Sequence, residues 1–234
     1  SGLYHVSLPL LMGTRLDILL FGENRQHLES FWLDTEAELR RQEKMLNRFD
    51  KESEVTGINH KAQYSSVELS DELWDILLDC RRYYKLTDGC FDITLLDFSK
   101  IIMMEESHSI LFDQYGMMLD FGGYAKGYAL RCVRKRFSEA GIKCALVNFG
   151  NSSVLAVGAH PFGNSWPVGI EESAGGMPVT TFNLKNTSMS VSGNSPANPD
   201  HIINTGKSVA IGGDSMVVVI SDDPVDAEVL TTAW

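Results

Sequence analysis

Residues 117–127, Met-Met-Leu-Asp-Phe-Gly-Gly-Tyr-Ala-Lys-Gly, carry the reading on which the fold turns. Met117, Met118 and Leu119 form an apolar run of the kind that ends a buried strand. Asp120 stands at its tip, and Gly122 and Gly123 follow. A helical pattern opens at Tyr124 and runs through Lys126, Tyr128, Leu130, Val133 and Phe137. It stops at Gly141, the glycine expected just past a helix C-terminus. A second apolar run, Ala145–Phe149, comes next. Strand, glycine turn, helix and strand predict a βαβ-like unit in which a carboxylate, a lysine and unpaired helix amides meet at one point. A helix start attracts anions through those amides and its dipole, and glycines let a ligand approach the backbone. Two readings fit the segment: a site for a phosphate-bearing ligand, or a tight turn with a helix-starting aspartate and a solvated lysine.

Outward from this segment the sequence predicts an α+β chain of antiparallel strands and packed helices. Arg15–Phe21 alternates and then runs apolar, as a strand does. Residues 24–47 set Leu28, Phe31, Trp32, Ala37, Leu39 and Leu46 among charges, an amphipathic helix with one wet face. Asn47 to His60 is polar, contains Gly57 and reads as a loop. Ser70 precedes Asp71 and Glu72 as an N-cap precedes an acidic first turn, and Leu73, Ile76, Leu77 and Cys80 give the buried stripe of a helix that ends near Thr87–Gly89. Residues 154–158, 166–170, 179–184, 188–191 and 215–221 read as strands between glycine, proline and asparagine turns. Residues 225–234 turn helical again. No composition shift marks a boundary, so residues 1–234 are expected to form a single domain. The last four residues, Thr231–Trp234, sit inside an apolar helical pattern without a cap, so the natural protein is expected to continue beyond them.

Composition narrows the function. The 234 residues carry a net charge of −11 with 44% apolar residues, enough for a core. The acidic balance argues against nucleic acid and against an anionic membrane surface, both of which select clustered Lys and Arg. An anionic ligand would need a local device to offset that field. The four cysteines, Cys80, Cys90, Cys132 and Cys144, are far apart with no C-x-x-C spacing, which argues against a metal cluster or redox pair; Cys80 and Cys132 in helical patterns and Cys144 at a strand start read as small core residues. No apolar run reaches the roughly 18 residues of a membrane span, and no basic-then-apolar leader opens the chain. There is no nucleophile elbow, Walker loop or G-x-G-x-x-G.

Three further features carry chemistry. Glu228 and Thr232 are four apart on the last helix and share a face. With a backbone carbonyl they would suit Mg²⁺, which takes few protein oxygens and fills its octahedron with water and substrate phosphate; a capping or surface pair is the alternative. His201 stands between the polar turn Asn194–Pro199 and an apolar pair, where a histidine acts as a general base or simply bonds a backbone carbonyl. Ser190–Asn194 offers hydroxyls and a glycine in a turn, suited to phosphate or flavin edges. His5, His27, His60, His108 and His160 have no carboxylate or histidine at metal-ligand spacing and read as surface residues.

Together these pieces resemble the bacterial FAD:protein FMN transferases, the ApbE-type flavin transferases, in order along nearly the whole chain. The segments that carry the resemblance are Met12-Gly-Thr14, Asn47-Arg-Phe-Asp50 with Ser53, Glu54 and Asn59, Leu69–Leu73 leading to Thr87-Asp-Gly-Cys-Phe-Asp-Ile-Thr94, and Leu119-Asp-Phe-Gly-Gly-Tyr-Ala-Lys-Gly-Tyr128. Ala145–Gly150, Trp166–Ile170, Ser190–Gly193, His201–Ile203 and Ala227–Ala233 follow. The resemblance implies an ApbE-like (T-fold-like) architecture and a flavin site formed by Met12, Phe49, Cys90, Phe91, Asp92, Asp120, Lys126, Ser192 and Ile202. It implies a Mg²⁺ site formed by the Gly123 carbonyl, Glu228 and Thr232, with Thr231 beside them, and a catalytic His201. The implied reaction cleaves FAD, moves FMN onto a Thr or Ser hydroxyl of an acceptor flavoprotein and releases AMP; metal-dependent FAD hydrolysis and flavin binding without chemistry are the alternatives. It also implies a place on the periplasmic side of the inner membrane, with a cytoplasmic location as the alternative, and leaves a homodimer open. The chain departs from the pattern in Glu228, where many relatives carry Asp, in Gly150–Ser153, and in shortened stretches at 94–119 and 201–206.

Overall fold

In the computed structural model, residues 2–22, 24–171, 178–192, 208–211 and 216–233 are described. The chain opens with β1 (Gly2–Leu11) and β2 (Thr14–Gly22), then α1 (Arg25–Leu46), α2 (Glu54–Lys61), β3 (Val67–Glu68) and α3 (Asp71–Leu86). The hairpin β4 (Ile101–Met104) and β5 (Ser109–Phe112) precedes α4 (Ala125–Glu139), β6 (Ala145–Phe149) and β7 (Ser153–Val157). There follow β8 (Trp166–Glu171), β9 (Pro178–Leu184), β10 (Thr187–Ser192), β11 (Ser208–Ile211), β12 (Met216–Ser221) and α5 (Pro224–Ala233).

The main sheet runs β1-β2-β6-β7-β10-β12-β11, antiparallel throughout. Alternation along each strand divides it into two buried faces. Leu16, Ile18, Ala145, Val147, Phe149 and Leu155 point to one side, where Leu28, Phe31, Trp32 and Leu39 of α1 and Leu130, Val133 and Phe137 of α4 cover them. On the same side Val219 of β12 meets Ala227 and Leu230 of α5. Val154, Ala156, Met189 and Val218 point to the other side and are covered by Trp166, Ile170 and Leu184 of the β8–β9 hairpin. A further core joins α2, α3, the β3-β5-β4 sheet and residues 117–125 to Val225 and Val229 of α5.

The expected α+β class, helices and strands are present, with two corrections. First, the segment expected to open a βαβ-like unit is not a strand. Met117–Leu119 forms only a single bridge, Leu119 with Thr94, and β6, which follows α4, pairs antiparallel with β2 and β7. Met117 and Leu119 are buried because they lie in the core with α2 and α3, not because they belong to a sheet strand, while Met118 is exposed. Second, the segment expected to be a loop from Asn47 to His60 contains α2. Ser53 caps it by accepting from the Thr56 N–H at 2.9 Å, and Val55, Thr56 and Ile58 are buried despite the polar composition. His5 and His108 lie at the surface as expected, each beside a carboxylate distant in sequence: His5 is 3.1 Å from Asp17, and His108, stacked on Trp74, is 2.9 Å from Asp71. The caps at Ser70 and the left-handed Gly141 (φ +70°) stand where the sequence sets them. Cys80 is fully buried, which raises its thiol pKa.

Candidate active site

Four pieces of chain build one cavity of about 270 Å³. The first is the two-residue turn between β1 and β2. Met12 (φ 48°) and Gly13 (φ +79°) are both left-handed, the geometry a tight hairpin needs. The Met12 N–H donates to Glu43 Oε1 of α1 at 2.7 Å and so fixes the turn against the helix. The second is the end of α1 with Leu46, Asn47, Arg48 and the exposed Phe49. The Arg48 guanidinium lies 4.2 Å from the centre of the Phe49 ring. The third is the loop Asp120–Gly122, and the fourth is the first turn of α4 with Ala125 and Lys126.

Asp120 ties these pieces together. Its Oδ2 accepts from Arg48 Nε at 2.6 Å and its Oδ1 from the Gly122 N–H at 2.9 Å. Behind it, Asn59 of α2 holds Leu119 reciprocally: Oδ1 accepts the Leu119 N–H at 2.7 Å and Nδ2 donates to the Leu119 carbonyl at 3.0 Å. The lining carries two carboxylates, Glu43 and Asp120, and two cations, Arg48 and Lys126. In a protein of net charge −11 these four charges cancel within the lining.

Lys126 connects the cavity to a buried carboxylate. Its Nζ stands 2.9 Å from Glu228 Oε1, and the Ser153 hydroxyl donates to Glu228 Oε2 at 2.5 Å. The Glu228 side chain is 5% exposed. Close contact between α4 and α5 makes this arrangement possible. A Cβ on Gly127 would fall 2.8 Å from both Glu228 Cβ and the Pro224 carbonyl, and one on Gly123 would fall 2.6 Å from Thr232 Cγ2. With glycine there, Thr232 Oγ1 lies 3.5 Å from the Gly123 carbonyl while donating to the Glu228 carbonyl at 2.9 Å.

An ionic network pins the start of α5. Arg131 of α4 bridges Asp79 of α3 (3.0 Å) and Asp223 (2.7 Å), Asp223 caps the Val225 N–H, and Tyr83 bonds Asp226. Tyr124 donates to Asp79 at 2.7 Å. Burial pushes the Tyr124 and Tyr83 hydroxyls up, so both stay protonated donors. Burial also works to raise the Asp79 pKa, but bonds from Tyr124, Arg131 and Arg82 outweigh it and hold the carboxyl below its ordinary range.

Of the expected flavin residues, Met12, Phe49, Asp120 and Lys126 line the cavity. Cys90, Phe91 and Asp92 are not in its lining. Cys90 is exposed, Phe91 is buried against Tyr83, and the Asp92 carboxylate accepts from Thr94 and Phe98 amides to shape its own turn. Ser192 ends β10 on the face shared with Ser190. Of the expected metal residues, Gly123, Glu228 and Thr232 come together. Thr231 turns toward the sheet, its hydroxyl 2.9 Å from Ser190 Oγ and donating to the Ala227 and Glu228 carbonyls. His201 and Ile202 lie outside the described residues. Sequence reading missed Arg48, Glu43, Asn59 and Ser153. Arg48 and Asn59 do sit in the segments that carry the family resemblance, but nothing in local spacing ties either to residues 119 and 120.

An antiparallel α+β fold with a charged cavity beside a buried carboxylate defines the class. A family model described as the ApbE family matches residues 12–109 and 95–234, and the chain belongs to that family. A curated relative, the FAD:protein FMN transferase of Klebsiella pneumoniae (strain 342), is 24% identical over 162 residues, 57% of this chain. The match spans about half (49%) of that relative's length. Among solved structures, the ApbE protein of Thermotoga maritima superposes with a TM-score of 0.80 at 20% identity, covering 99% of this chain and 86% of that one. The apo flavinyl transferase ApbE of Pseudomonas stutzeri gives 0.78 at 20% identity, covering 99% and 83%. The flavin transferase ApbE of Vibrio cholerae gives 0.79 at 16% identity, covering 99% and 86%. At these identities the structural likeness speaks to the fold.

Proposed function

We propose that the protein binds FAD in the cavity between the β1–β2 turn, the end of α1 and the start of α4, and transfers its FMN moiety to a Thr or Ser hydroxyl of an acceptor protein. The observation that carries this reading is the Lys126–Glu228 pair, which joins the cavity to a buried carboxylate beside the Gly123 carbonyl and the Thr232 hydroxyl. The name of the Klebsiella relative supports the substrate and the group transferred.

The residues fit a magnesium ion. Glu228, Thr232 and the Gly123 carbonyl are three oxygen donors of the type Mg²⁺ takes, and Gly123 lacks the Cβ that would push Thr232 away. Bound there, the ion would neutralise charge on the pyrophosphate. The chain's own residues do the rest. Arg48, held by Asp120, and Phe49 offer a planar cation and a ring against which an aromatic ligand stacks. Lys126 offers an ammonium to phosphate oxygens. His201, in a family position, takes the proton of the acceptor hydroxyl as its oxygen attacks the FMN phosphorus. The bond between the FMN phosphorus and the bridging oxygen breaks, and AMP leaves carrying that oxygen.

The test is incubation with FAD, Mg²⁺ and candidate acceptor proteins, read by intact mass. The reading predicts an FMN adduct on a Thr or Ser with one AMP released per adduct. AMP and free FMN without an adduct would indicate hydrolysis, and flavin binding with no AMP would indicate a binding protein.

A further inference from the structure

Glu228 is one of the most deeply buried charges among the described residues, and its carboxylate has two side-chain partners, the Lys126 ammonium and the Ser153 hydroxyl. A buried carboxylate stripped of its cation is strongly destabilising, so the lysine 2.9 Å away is the charge that compensates Glu228 inside the protein. Yet Lys126 is not sealed away with its partner. Its side chain is 21% exposed, and it lines the cavity. The ammonium therefore stands between a carboxylate behind it and a ligand space in front of it. One turn along α5, Thr232 faces the Gly123 carbonyl. A divalent cation held by these oxygens would supply Glu228 with positive charge in the lysine's place, and two cations within about 4 Å of one another repel strongly in a site of low dielectric.

We propose that Lys126 and a divalent cation are alternative partners of Glu228: the lysine is its resident counter-ion, and the arriving metal displaces the ammonium into the cavity, where it meets the anionic phosphates of the substrate. The inference rests on the reading of Gly123, Glu228 and Thr232 as a magnesium site. Lys126 then acts as a positioning residue that couples metal to substrate, because the protein gains a free cation in the cavity only once the metal is in place. Removing the ammonium has opposite effects on the two ligands. It relieves competition for the metal and deprives the flavin pyrophosphate of a partner. A lysine that merely braced the two helices would weaken both.

Two measurements test this. Calorimetric titration with Mg²⁺ alone, on the flavin-free chain, compares wild type with Lys126→Met and Lys126→Arg. The exchange predicts Mg²⁺ binding at least about fivefold tighter in Lys126→Met, the low end of ordinary site-to-site coupling. It predicts near-wild-type binding in Lys126→Arg and weaker FAD binding by Lys126→Met when Mg²⁺ is present. The second measurement needs no variant: acylation of amines in wild type, read by peptide mass spectrometry. Mg²⁺ should raise labelling of Lys126 several-fold, and FAD added with Mg²⁺ should suppress it. Equal or weaker Mg²⁺ binding in a folded Lys126→Met, or Lys126 labelling indifferent to Mg²⁺ in a wild type that binds the ion, overturns the exchange alone. A wild type that binds no Mg²⁺ overturns the metal reading and the exchange with it.

Discussion

Asp120 shows how much one side chain does here. One carboxylate oxygen holds the Gly122 amide and the other holds Arg48, while the backbone N–H bonds the Ile93 carbonyl at 2.6 Å. The ion pair with Arg48 is partly exposed, 25% and 30%, so by itself it contributes about 0–1 kcal/mol to stability. Its larger role is to set the cavity wall. Asp120→Ala is expected to fold but to bind FAD about 1–3 kcal/mol more weakly, the usual cost of a lost charged hydrogen-bond partner. Isothermal titration against FAD checks this; unchanged affinity in the folded variant would reduce Asp120 to a turn former.

Among the elements, the contact of α4 with α5 decides whether Glu228 reaches its partners. An added methyl at Gly127 meets a backbone carbonyl and Glu228 Cβ, both at 2.8 Å, so α5 must move. Overpacking costs about 1–3 kcal/mol, and the better helix propensity of alanine returns only about 1. Gly127→Ala should therefore lower the melting temperature and weaken metal binding together; a variant that melts at the wild-type temperature would show that the helices have slack. The Asp79 network fixes the start of the same helix. Its carboxyl, 18% exposed, titrates below the ordinary value in the folded protein. The unfolded chain therefore takes up the proton first as pH falls, and the stabilisation is complete above about pH 4 and disappears as the folded group protonates. Asp79→Asn should cost about 1.5–3 kcal/mol at pH 7, with the gap to wild type closing below about pH 4 in denaturant titrations. A gap constant across that range would mean the network does not act through charge. Helices such as α1 and α4 and strands such as β2, β7 and β12 were legible because their apolar period persists over several turns or residues. α2 was not, because eight polar-rich residues with a central glycine bury only Val55, Thr56 and Ile58, a face set by the tertiary core. The run 117–119 looked like a strand because Met117 and Leu119 are apolar for burial in the core rather than for pairing in a sheet. In the site, Asp120 and Lys126 were legible from a glycine turn entering a helix. Arg48 was not, since its partner lies 72 residues away and no local rule links them.

Across the whole molecule, the two faces of the main sheet carry different tasks. The helical face holds the cavity and the Glu228 cluster, and the other face is closed by the β8–β9 hairpin, anchored by the buried Trp166, whose Nε1 donates to the Val157 carbonyl at 3.3 Å. Trp166→Ala should cost about 3–5 kcal/mol in chemical denaturation while leaving the FAD affinity of the folded fraction unchanged. A matching loss of flavin affinity would show that the two faces are coupled. The central claim is that the cavity and the buried carboxylate form one site for cleaving FAD. It is tested most directly by the rate of AMP release from FAD and Mg²⁺ in wild type, in wild type with EDTA, and in Glu228→Ala. The account predicts AMP from wild type alone, with FAD binding partly retained in the variant. AMP release at the wild-type rate in EDTA or in Glu228→Ala would contradict it.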